Sequence, residues 1–567
     1  MKISYITLLL LFIISATLGQ DKATPPPTRM TLPKDTTRAV KKPEQKVEAE
    51  QPQLELPDVL VLGKDKSLRL TGKKESLQPE SPTLVKPGSP YEPISVWFRR
   101  QSSKPELNQG MRRMDKMSWL SLRGGGYTSI IADAGHWRKL AQGNYRLRGW
   151  LDRSNGQYNN SQYSRGGLSG KINYELAPHV TGMAFGNYAL YSRGLHGAAL
   201  NDYTRRAGTG SFGAGLMYDI ARLSDGYLGF EIGGTSLQSD TSSHRMDKSS
   251  DFWYRLEFSY TANWAGIQWN FDGRYVRETF DLLNDTTNTK TSLGDIGVEA
   301  LTSLSGKITA ALGLIYQTAG SDSFATRNRV SPYLKINFMP ANKVGLTAQL
   351  YTGYDYRTFT QRWQQNPYIT HRIPLVPSET TFGLNLKAEV EIAASLRAFT
   401  SFSRNWMETA FYWQRDPQLN LIALQQINKP ELTEMQIGFV AELSSRTRLQ
   451  AAFINYSDKI ESSDGLPNIG RIPYRPDFRI PIRATIQLLP DMFFTLQADI
   501  QGERPSNLNS TDKLPAYGLL HASLVKDFGE KFSAILTVRN LLDANYVIWE
   551  NYPEMGVHVL FGFRAKF

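Results

Sequence analysis

The chain has 567 residues, no cysteine, 45 glycines and a formal net charge of +12 at pH 7. The absence of cysteine excludes disulfides, thiol catalysis, cysteine-ligated metals and a lipid anchor on cysteine. Lysine and arginine are spread along the chain instead of gathering in one patch, which argues against a nucleic-acid partner. Mean hydropathy is −0.38, and beyond the first residues no stretch reaches the roughly 18 consecutive apolar residues of a membrane-spanning helix.

The first 19 residues are predicted to be a signal peptide. Lys2 supplies the positive charge, residues 6–14 form the apolar centre, and Thr17 and Gly19 are small residues before a cut at Gln20. Export combined with the strand pattern described below predicts the outer membrane of a Gram-negative-type cell, with the N-terminus in the periplasm. A soluble secreted β-protein is the alternative.

Residues 20–57 are rich in Pro, Lys, Glu, Gln and Thr, and this composition predicts a disordered tether. A short periplasmic segment, 58–117, follows it and opens with an apolar tract made of Asp58, Val59, Leu60, Val61 and Leu62. Three interpretations of this tract stay open. It could add as a strand to a periplasmic protein partner, thread the barrel as a small stopper, or serve as an inert linker.

Residues 118–567 alternate apolar and polar side chains in segments separated by turns. This pattern predicts an all-β fold, an antiparallel transmembrane β-barrel preceded by a disordered periplasmic extension. The hairpin Phe252–Tyr275 is the clearest example, because Phe252, Leu256 and Phe258 share one face while polar residues occupy the other. Short turns alternate with long connections, including one over 408–429, and counting strands predicts 22 of them, with 20 as the fallback.

The chain ends in a strand with one apolar and one cationic face. Phe561, Phe563 and Phe567 fall on the first face, whereas Arg564 and Lys566 fall on the second. An apolar outside and a polar inside are typical of a barrel strand in lipid. The three phenylalanines are therefore predicted to face outer-membrane lipid and to serve the barrel-assembly machinery during biogenesis.

No motif predicts an enzyme, a cofactor or a metal site. Gly208–Gly213 fits the dinucleotide pattern GxGxxG, but a strand and not a helix is predicted to follow it, which favours a barrel strand. The seven histidines are scattered, and there is no GxSxG nucleophile motif. A catalytic triad that forms only in three dimensions is the alternative.

Two predicted outer loops are rich in aromatic residues and arginine, the side chains that commonly recognise ligands by stacking and bidentate pairing. The candidate ligand residues are Arg357, Arg362, Trp363, Tyr368, Trp406, Tyr412 and Trp413. The favoured alternative is that these aromatic residues belong to the girdle at the membrane interface.

The C-terminal segment resembles the end of TonB-dependent outer-membrane receptors. The resemblance is carried by Asn540-Leu541-Leu542-Asp543, Tyr546, Tyr552-Pro553, Gly556 and the aromatic terminal strand. Residues 124–152 are similar to the first barrel strands of that family, and residues 56–63 to the tract that joins its TonB-contacting box to its plug domain. The resemblance implies the barrel fold, the outer membrane and solute uptake.

One departure from that family concerns the plug. Only about 55 residues separate Gly63 from Ser118, too few for the globular plug that fills such barrels. Two functions therefore stay open. The chain is expected to be a receptor or transporter for a solute, or else a membrane-anchored scaffold of an assembly or secretion complex that recruits periplasmic partners through its N-terminal tether.

Overall fold

The computed structural model describes residues 116–199, 202–220, 224–241, 245–282, 289–322, 324–341, 343–460, 471–508 and 512–567. The predicted signal peptide, the tether and the tract Asp58–Leu62 lie outside these residues.

The described chain is built almost entirely from β-strands. They are β1 (Lys116–Gly125), β2 (Ser129–Leu140), β3 (Gly143–Ser154), β4 (Tyr163–Ala177), β5 (Val180–Gly194), β6 (Thr204–Ile220), β7 (Ser224–Asp240), β8 (Arg245–Trp264), β9 (Ile267–Leu282), β10 (Thr289–Ser305), β11 (Ile308–Ser321), β12 (Phe324–Ala341), β13 (Val344–Asp355), β14 (Ser378–Ala393), β15 (Leu396–Arg415), β16 (Ile422–Asn428), β17 (Glu431–Ser444), β18 (Thr447–Lys459), β19 (Phe478–Leu489), β20 (Met492–Gln501), β21 (Arg504–Pro505), β22 (Lys513–Leu514), β23 (Tyr517–Phe528), β24 (Phe532–Arg539), β25 (Val547–Trp549), β26 (Tyr552–Pro553) and β27 (His558–Lys566).

Twenty-two of these strands form one closed antiparallel barrel, which confirms the predicted fold and strand count. Each barrel strand pairs with its neighbours in the chain, and β27 closes the ring on β1. Strand β16 pairs with the end of β15 that extends beyond the ring, while β21–β22 and β25–β26 are two-stranded hairpins in long connections. Closure leaves no open edge in the ring of described strands.

The two ends of the barrel differ in their connections. At the end where β1 begins and β27 finishes, strands are joined by two or three residues, and we call this the short-turn end. There the Phe567 N–H donates to the Ser118 carbonyl at 2.9 Å. The opposite, long-loop end carries most of the longer connections, although β1–β2 and β11–β12 are joined there by three and two residues. The alternation of turns and loops predicted from the sequence therefore holds for most of the ring.

The outer wall is apolar along its whole circumference. Phe252, Leu256 and Phe258 are exposed, as the hairpin pattern predicts, and Phe561 and Phe567 are exposed on the outer face of the terminal strand. Polar side chains point inward and pair there, as Arg274 does with Asp295 at 2.8 Å. An apolar outside around a polar lumen is the arrangement of a barrel in a bilayer.

Two neighbouring residues in the middle of β17 test this orientation. Ile437 faces outward and is half exposed, whereas Gln436 faces the lumen. We expect Ile437→Arg to destabilise the barrel in lipid vesicles by about 2–4 kcal/mol, and Gln436→Arg to have little effect, because only the first places a charge in hydrocarbon. Urea unfolding followed by tryptophan fluorescence measures both. Equal losses of stability would contradict the assignment of faces.

Within the described residues, helical structure is confined to short pieces. The helix α1 (Phe359–Gln365) lies in the connection between β13 and β14, and a single 3-10 turn covers Gly126–Thr128. None of the helices in the described ranges has the length and apolar character needed to cross a bilayer.

The strand assignments confirm one further sequence prediction and contradict another. The GxGxxG pattern lies inside β6, which confirms a strand at Gly208–Gly213. The long loop predicted over 408–429 is wrong, because β15 continues to Arg415 and returns as β16. Phe411, Tyr412 and Trp413 are consecutive in the sequence and follow a spanning segment that already has full length, so the pattern did not show that the hairpin extends beyond the barrel.

Candidate functional site

The connection between β13 and β14 enters the barrel and lies against the lumen wall. We call residues 356–377 the cap segment. It begins with a capping box in which the Thr358 side chain accepts from the Gln361 N–H while the Gln361 side chain accepts from the Thr358 N–H. This reciprocal pair satisfies amide groups at the start of α1 and fixes where the helix begins.

Two buried acidic side chains of the wall hold the start of α1. Glu278 on β9 accepts from the Phe359 N–H at 2.7 Å and from the Tyr356 hydroxyl, and Asp251 on β8 accepts from the Thr360 hydroxyl at 2.8 Å and its N–H at 3.2 Å. Both side chains are almost completely shielded from solvent. Buried amides and hydroxyls are costly to leave without acceptors, so these two acids, which we call the acidic latch, hold the cap segment against the wall.

Arg205 on β6 holds the middle of the cap segment. Its guanidinium donates to the carbonyls of Pro367 and Ile369, at 2.9 and 2.6 Å, and to the hydroxyl of Ser239 at 3.1 Å. Guanidinium donors that meet backbone carbonyls satisfy acceptors that a buried loop otherwise leaves unpaired. The cap segment is therefore held to the wall by a basic side chain, Arg205, as well as by the two acids.

His371 anchors the end of the cap segment between two serines of the wall. One ring nitrogen lies 2.7 Å from the Ser239 hydroxyl and the other 2.9 Å from the Ser249 hydroxyl. Burial, with a smaller contribution from the nearby Arg205, lowers the pKa of His371 to about 3. The ring is therefore neutral at physiological pH, with one nitrogen as donor and the other as acceptor.

An apolar core closes the long-loop end around the cap segment. Tyr368 stacks on Tyr552 with ring centroids 3.8 Å apart, and Trp363 meets the edge of Tyr191 at 4.7 Å. Other buried members of this core are Leu195, Tyr203, Leu237, Phe280, Phe359, Ile369, Trp413, Leu421, Ile422 and Trp549. These residues come from four connections and from the barrel wall, so the barrel is closed at this end by its own loops.

The cap segment also pairs with the hairpin that extends beyond the ring. The Thr370 N–H donates to the Ile422 carbonyl and the Ile422 N–H donates to the Tyr368 carbonyl, each at 2.9 Å. Ile369 and Ile422 are themselves fully buried. The part of the chain predicted as a loop over 408–429 thus supplies an ordered edge for the cap segment.

A cavity of about 1010 Å³ remains in the lumen beside the cap segment. Six arginines and three acids line it, namely Arg165, Arg193, Arg205, Arg479, Arg483, Arg539, Asp152, Asp499 and Glu554. Two of the acids are engaged, since Asp152 pairs with Arg165 at 2.7 Å and Asp499 with Arg479 at 2.8 Å. The volume suits a small-molecule ligand, and the balance of charge in the wall is positive.

The structure places the predicted ligand residues in three settings. Arg362, Trp363, Tyr368 and Trp413 are buried in or beside the apolar core, and Tyr412 is buried in a second core with Met407, Ile427 and Ile472. Trp363 and Tyr368 also line the cavity. Arg357 pairs with Asp355 at 3.5 Å, and Trp406 lies on the outer face against Phe382.

Arg362 has a structural role in the cap segment. It donates to the carbonyls of Pro374, Val376 and Arg357 and lies over the ring of Phe411. Burial lowers its pKa to about 10, which still leaves the guanidinium charged at neutral pH. Of the predicted residues, Trp363 and Tyr368 therefore keep the best access to a ligand in the cavity.

Asp251, Glu278, Arg205 and the cavity arginines were not singled out from the sequence. In the sequence each of them is one polar residue in a strand that alternates apolar and polar side chains. Nothing there distinguishes it from any other polar residue that faces the lumen. Within the described part of the chain, no group of three or more His, Asp or Glu side chains is placed to hold a metal ion.

Acidification should weaken the contribution of His371 to closure by the cap segment. His371 in the closed state stays neutral down to about pH 3, whereas a released His371 binds a proton below its ordinary pKa of 6.5. The contribution of His371 to closure is therefore complete above pH 6.5 and declines as the pH falls towards 3. Between pH 6.5 and 4, acidification should therefore favour channel opening in a planar bilayer more strongly in wild type than in His371→Gln. An identical pH dependence in both proteins would contradict this role.

Comparison with known proteins gives matches among solved structures alone. No protein-family model matches the sequence, and no curated protein matches it. The chain is similar to the siderophore receptor PiuA from Acinetobacter baumannii, with 12% identity, a TM-score of 0.64, and coverage of 80% of this chain and 82% of that one.

Two further structures agree with this result. The copper transporter OprC is 11% identical with a TM-score of 0.65, and the match covers 80% of each chain. The FrpB iron transporter from Neisseria meningitidis is 9% identical with a TM-score of 0.65, over 80% of this chain and 82% of that one. At such low identity these likenesses establish the barrel fold, in agreement with the resemblance seen in the sequence.

Proposed function

We propose that the chain is an outer-membrane receptor that takes up a solute through a lumen closed by its own cap segment. The observation that carries this proposal is the cavity of about 1010 Å³ between the cap segment and an arginine-rich wall. A structure that serves only as a scaffold has no need of a lined cavity. The solved barrels of similar fold are described as receptors and transporters for siderophores, copper and iron.

In this proposal the barrel lies in the outer membrane with its short-turn end and the N-terminal segment in the periplasm. The tract Asp58–Leu62 binds a periplasmic energising partner by strand addition, and Phe561, Phe563 and Phe567 face lipid once the assembly machinery has inserted the barrel. Solute enters from the long-loop side when the cap segment leaves the wall. Solute transfer requires no catalytic group of the chain.

A disulfide lock tests whether the cap segment must move. The chain has no cysteine, and the hydroxyls of Thr235 on β7 and Thr360 on α1 lie 2.8 Å apart, so Thr235→Cys with Thr360→Cys places two thiols within bonding reach. A deletion strain is first used to find a solute whose accumulation falls. Oxidised double-cysteine protein should then fail to restore accumulation, and reductant should restore it.

The control for the lock is Thr235→Cys alone, which should restore accumulation with or without reductant. Full accumulation with the lock closed would overturn the proposal, because solute would then pass without movement of the cap segment.

The alternative function is a membrane-anchored scaffold, and the extent of the apolar core around the cap segment favours it, since such a core suits permanent closure. A scaffold should co-purify with periplasmic partners through residues 20–117 and lose them when that segment is removed. It should also tolerate the closed disulfide lock without loss of function.

A further inference from the structure

The wall of the lumen cavity presents hydrogen-bond donors that have no acceptor. The Trp363 Nε1–H and the Arg539 Nε–H are both buried and unpartnered within the described chain. His558 is 1% exposed, and its ring lies beside Gly126 without reaching hydrogen-bond geometry at either nitrogen. All three residues line the cavity. Buried donors are normally satisfied, so this set indicates a ligand or water that brings acceptors.

Three of the cavity residues lie side by side on the wall. Arg539 on β24 is the register partner of His558 on β27, and both face the lumen. His521 on β23 flanks Arg539 on the other side, and its Nδ1 accepts from the Asn540 N–H at 3.1 Å. The proton of neutral His521 therefore lies on Nε2, which makes that atom a donor. Three donor side chains on adjacent strands thus converge on one part of the cavity.

The charge around these three residues is also positive. Arg123 on β1 and Arg564 on β27 face the lumen nearby, and the Arg123 Nε is buried without a partner among the described residues. Within the described chain no carboxylate lies at ion-pairing distance from Arg539, and the nearby Asp152 and Asp133 already pair with Arg165 and Arg148. Buried positive charge without a counter-ion is unfavourable, so an anion would stabilise this region.

The composition of the N-terminal segment makes it a poor source of that anion. Residues 58–115 contain 11 lysines and arginines against 7 acids, so the segment carries the same sign of charge as the wall. A mobile solute is the better complement.

We propose that Arg539, His521 and His558 form an oxyanion site that takes the phosphate or carboxylate group of an acidic solute. The inference rests on the proposed function, because it names the class of solute that the cavity holds. A guanidinium with two flanking imidazole donors matches the several acceptor oxygens of either group. Trp363 and Tyr368 of the cap segment line the same cavity and are placed to contact the rest of the solute.

Binding is tested on the full mature chain in detergent by isothermal titration calorimetry. Inorganic phosphate and citrate are the probes, with ionic strength held constant by chloride. Wild-type protein should bind at least one of them saturably. Arg539→Gln with His558→Gln should weaken that binding by about tenfold or more, because it removes a charged donor and a ring donor.

Two further variants separate loss of the site from a general loss of positive charge. Arg397→Gln removes one positive charge from the lumen face of β15 near the short-turn end and should leave the affinity within about twofold of wild type, since exposed charge at a distance is screened. Arg539→Lys keeps the charge without the planar fork and should bind more tightly than the double variant. Retention of the heat-resistant, fast-migrating band in gels verifies that each barrel is folded.

The site is overturned if neither anion binds saturably, in which case water satisfies the donors, or if the double variant binds as tightly as wild type. The experiment involves no transport. Saturable binding combined with failure of the disulfide-lock test would therefore retain the oxyanion site while rejecting uptake.

Discussion

Replacing residues 357–376 with a four-residue glycine–serine turn should convert a closed barrel into an open pore. The replacement is feasible because Asp355 and Ser378 are register partners on adjacent strands, so a short turn can join them without strain. It removes α1, Arg362, Trp363 and Tyr368 from the lumen and leaves all ring pairing intact. A 22-stranded barrel without contents has a wide aqueous channel.

Planar-bilayer recording measures this effect. At neutral pH wild-type protein should open only rarely, and the replaced barrel should show stable steps of a size expected for a wide channel. The β-content by circular dichroism should match wild type, which separates an emptied lumen from an unfolded barrel. A replaced barrel that stays closed would contradict the assignment of the cap segment as the seal and would point to the connections that carry Leu195 and Trp549.

Removing the acidic latch should open the lumen without shortening any loop. In Asp251→Ala with Glu278→Ala, the amides of Phe359 and Thr360 and the Tyr356 hydroxyl lose their acceptors. Each buried polar group left unsatisfied costs about 1–3 kcal/mol. The closed state should therefore lose several kcal/mol relative to any state in which water reaches these groups, and every 1.4 kcal/mol raises the open population about tenfold.

The readout is the fraction of time open in single-channel records, expected to rise by two orders of magnitude or more on the stated energies. Glu278→Gln should have a smaller effect of the same sign, since its side-chain amide keeps one acceptor oxygen. The matched control is Glu299→Ala, because Glu299 is a lumen-facing acid on β10 that accepts from Asn270 of the neighbouring strand at 2.9 Å. Equal opening in the control would contradict a specific latch.

The barrel could be predicted from the sequence because each strand carries its own evidence. In β8 the outward Phe252, Leu256 and Phe258 alternate with inward polar residues, and this pattern needs no knowledge of the neighbouring strands. The terminal strand is equally explicit, with Phe561 outside and Arg564 inside. The number of strands followed from the turns, including the tight connection after Gly125 that separates β1 from β2.

The cap segment could not be predicted because its contacts join residues that are far apart in the chain. Glu278 and Phe359 are 81 positions apart, and Asp251 and Thr360 are 109 apart. Aromatic residues and arginine also serve equally for recognition and for packing, so Trp413 resembled a ligand residue although it is buried against Trp549. Trp406 was also predicted as a ligand residue, but it faces outward beside Phe382, and this position suits the alternative, the aromatic girdle at the membrane interface.

The most direct test of the account compares the conductance of the full mature chain with that of a chain beginning at Ser118. Closure by the cap segment depends only on residues of the barrel and its loops, so both proteins should be closed, and both should open when the acidic latch is removed. A truncated chain that opens by itself would contradict the account, because the seal would then lie in the N-terminal segment.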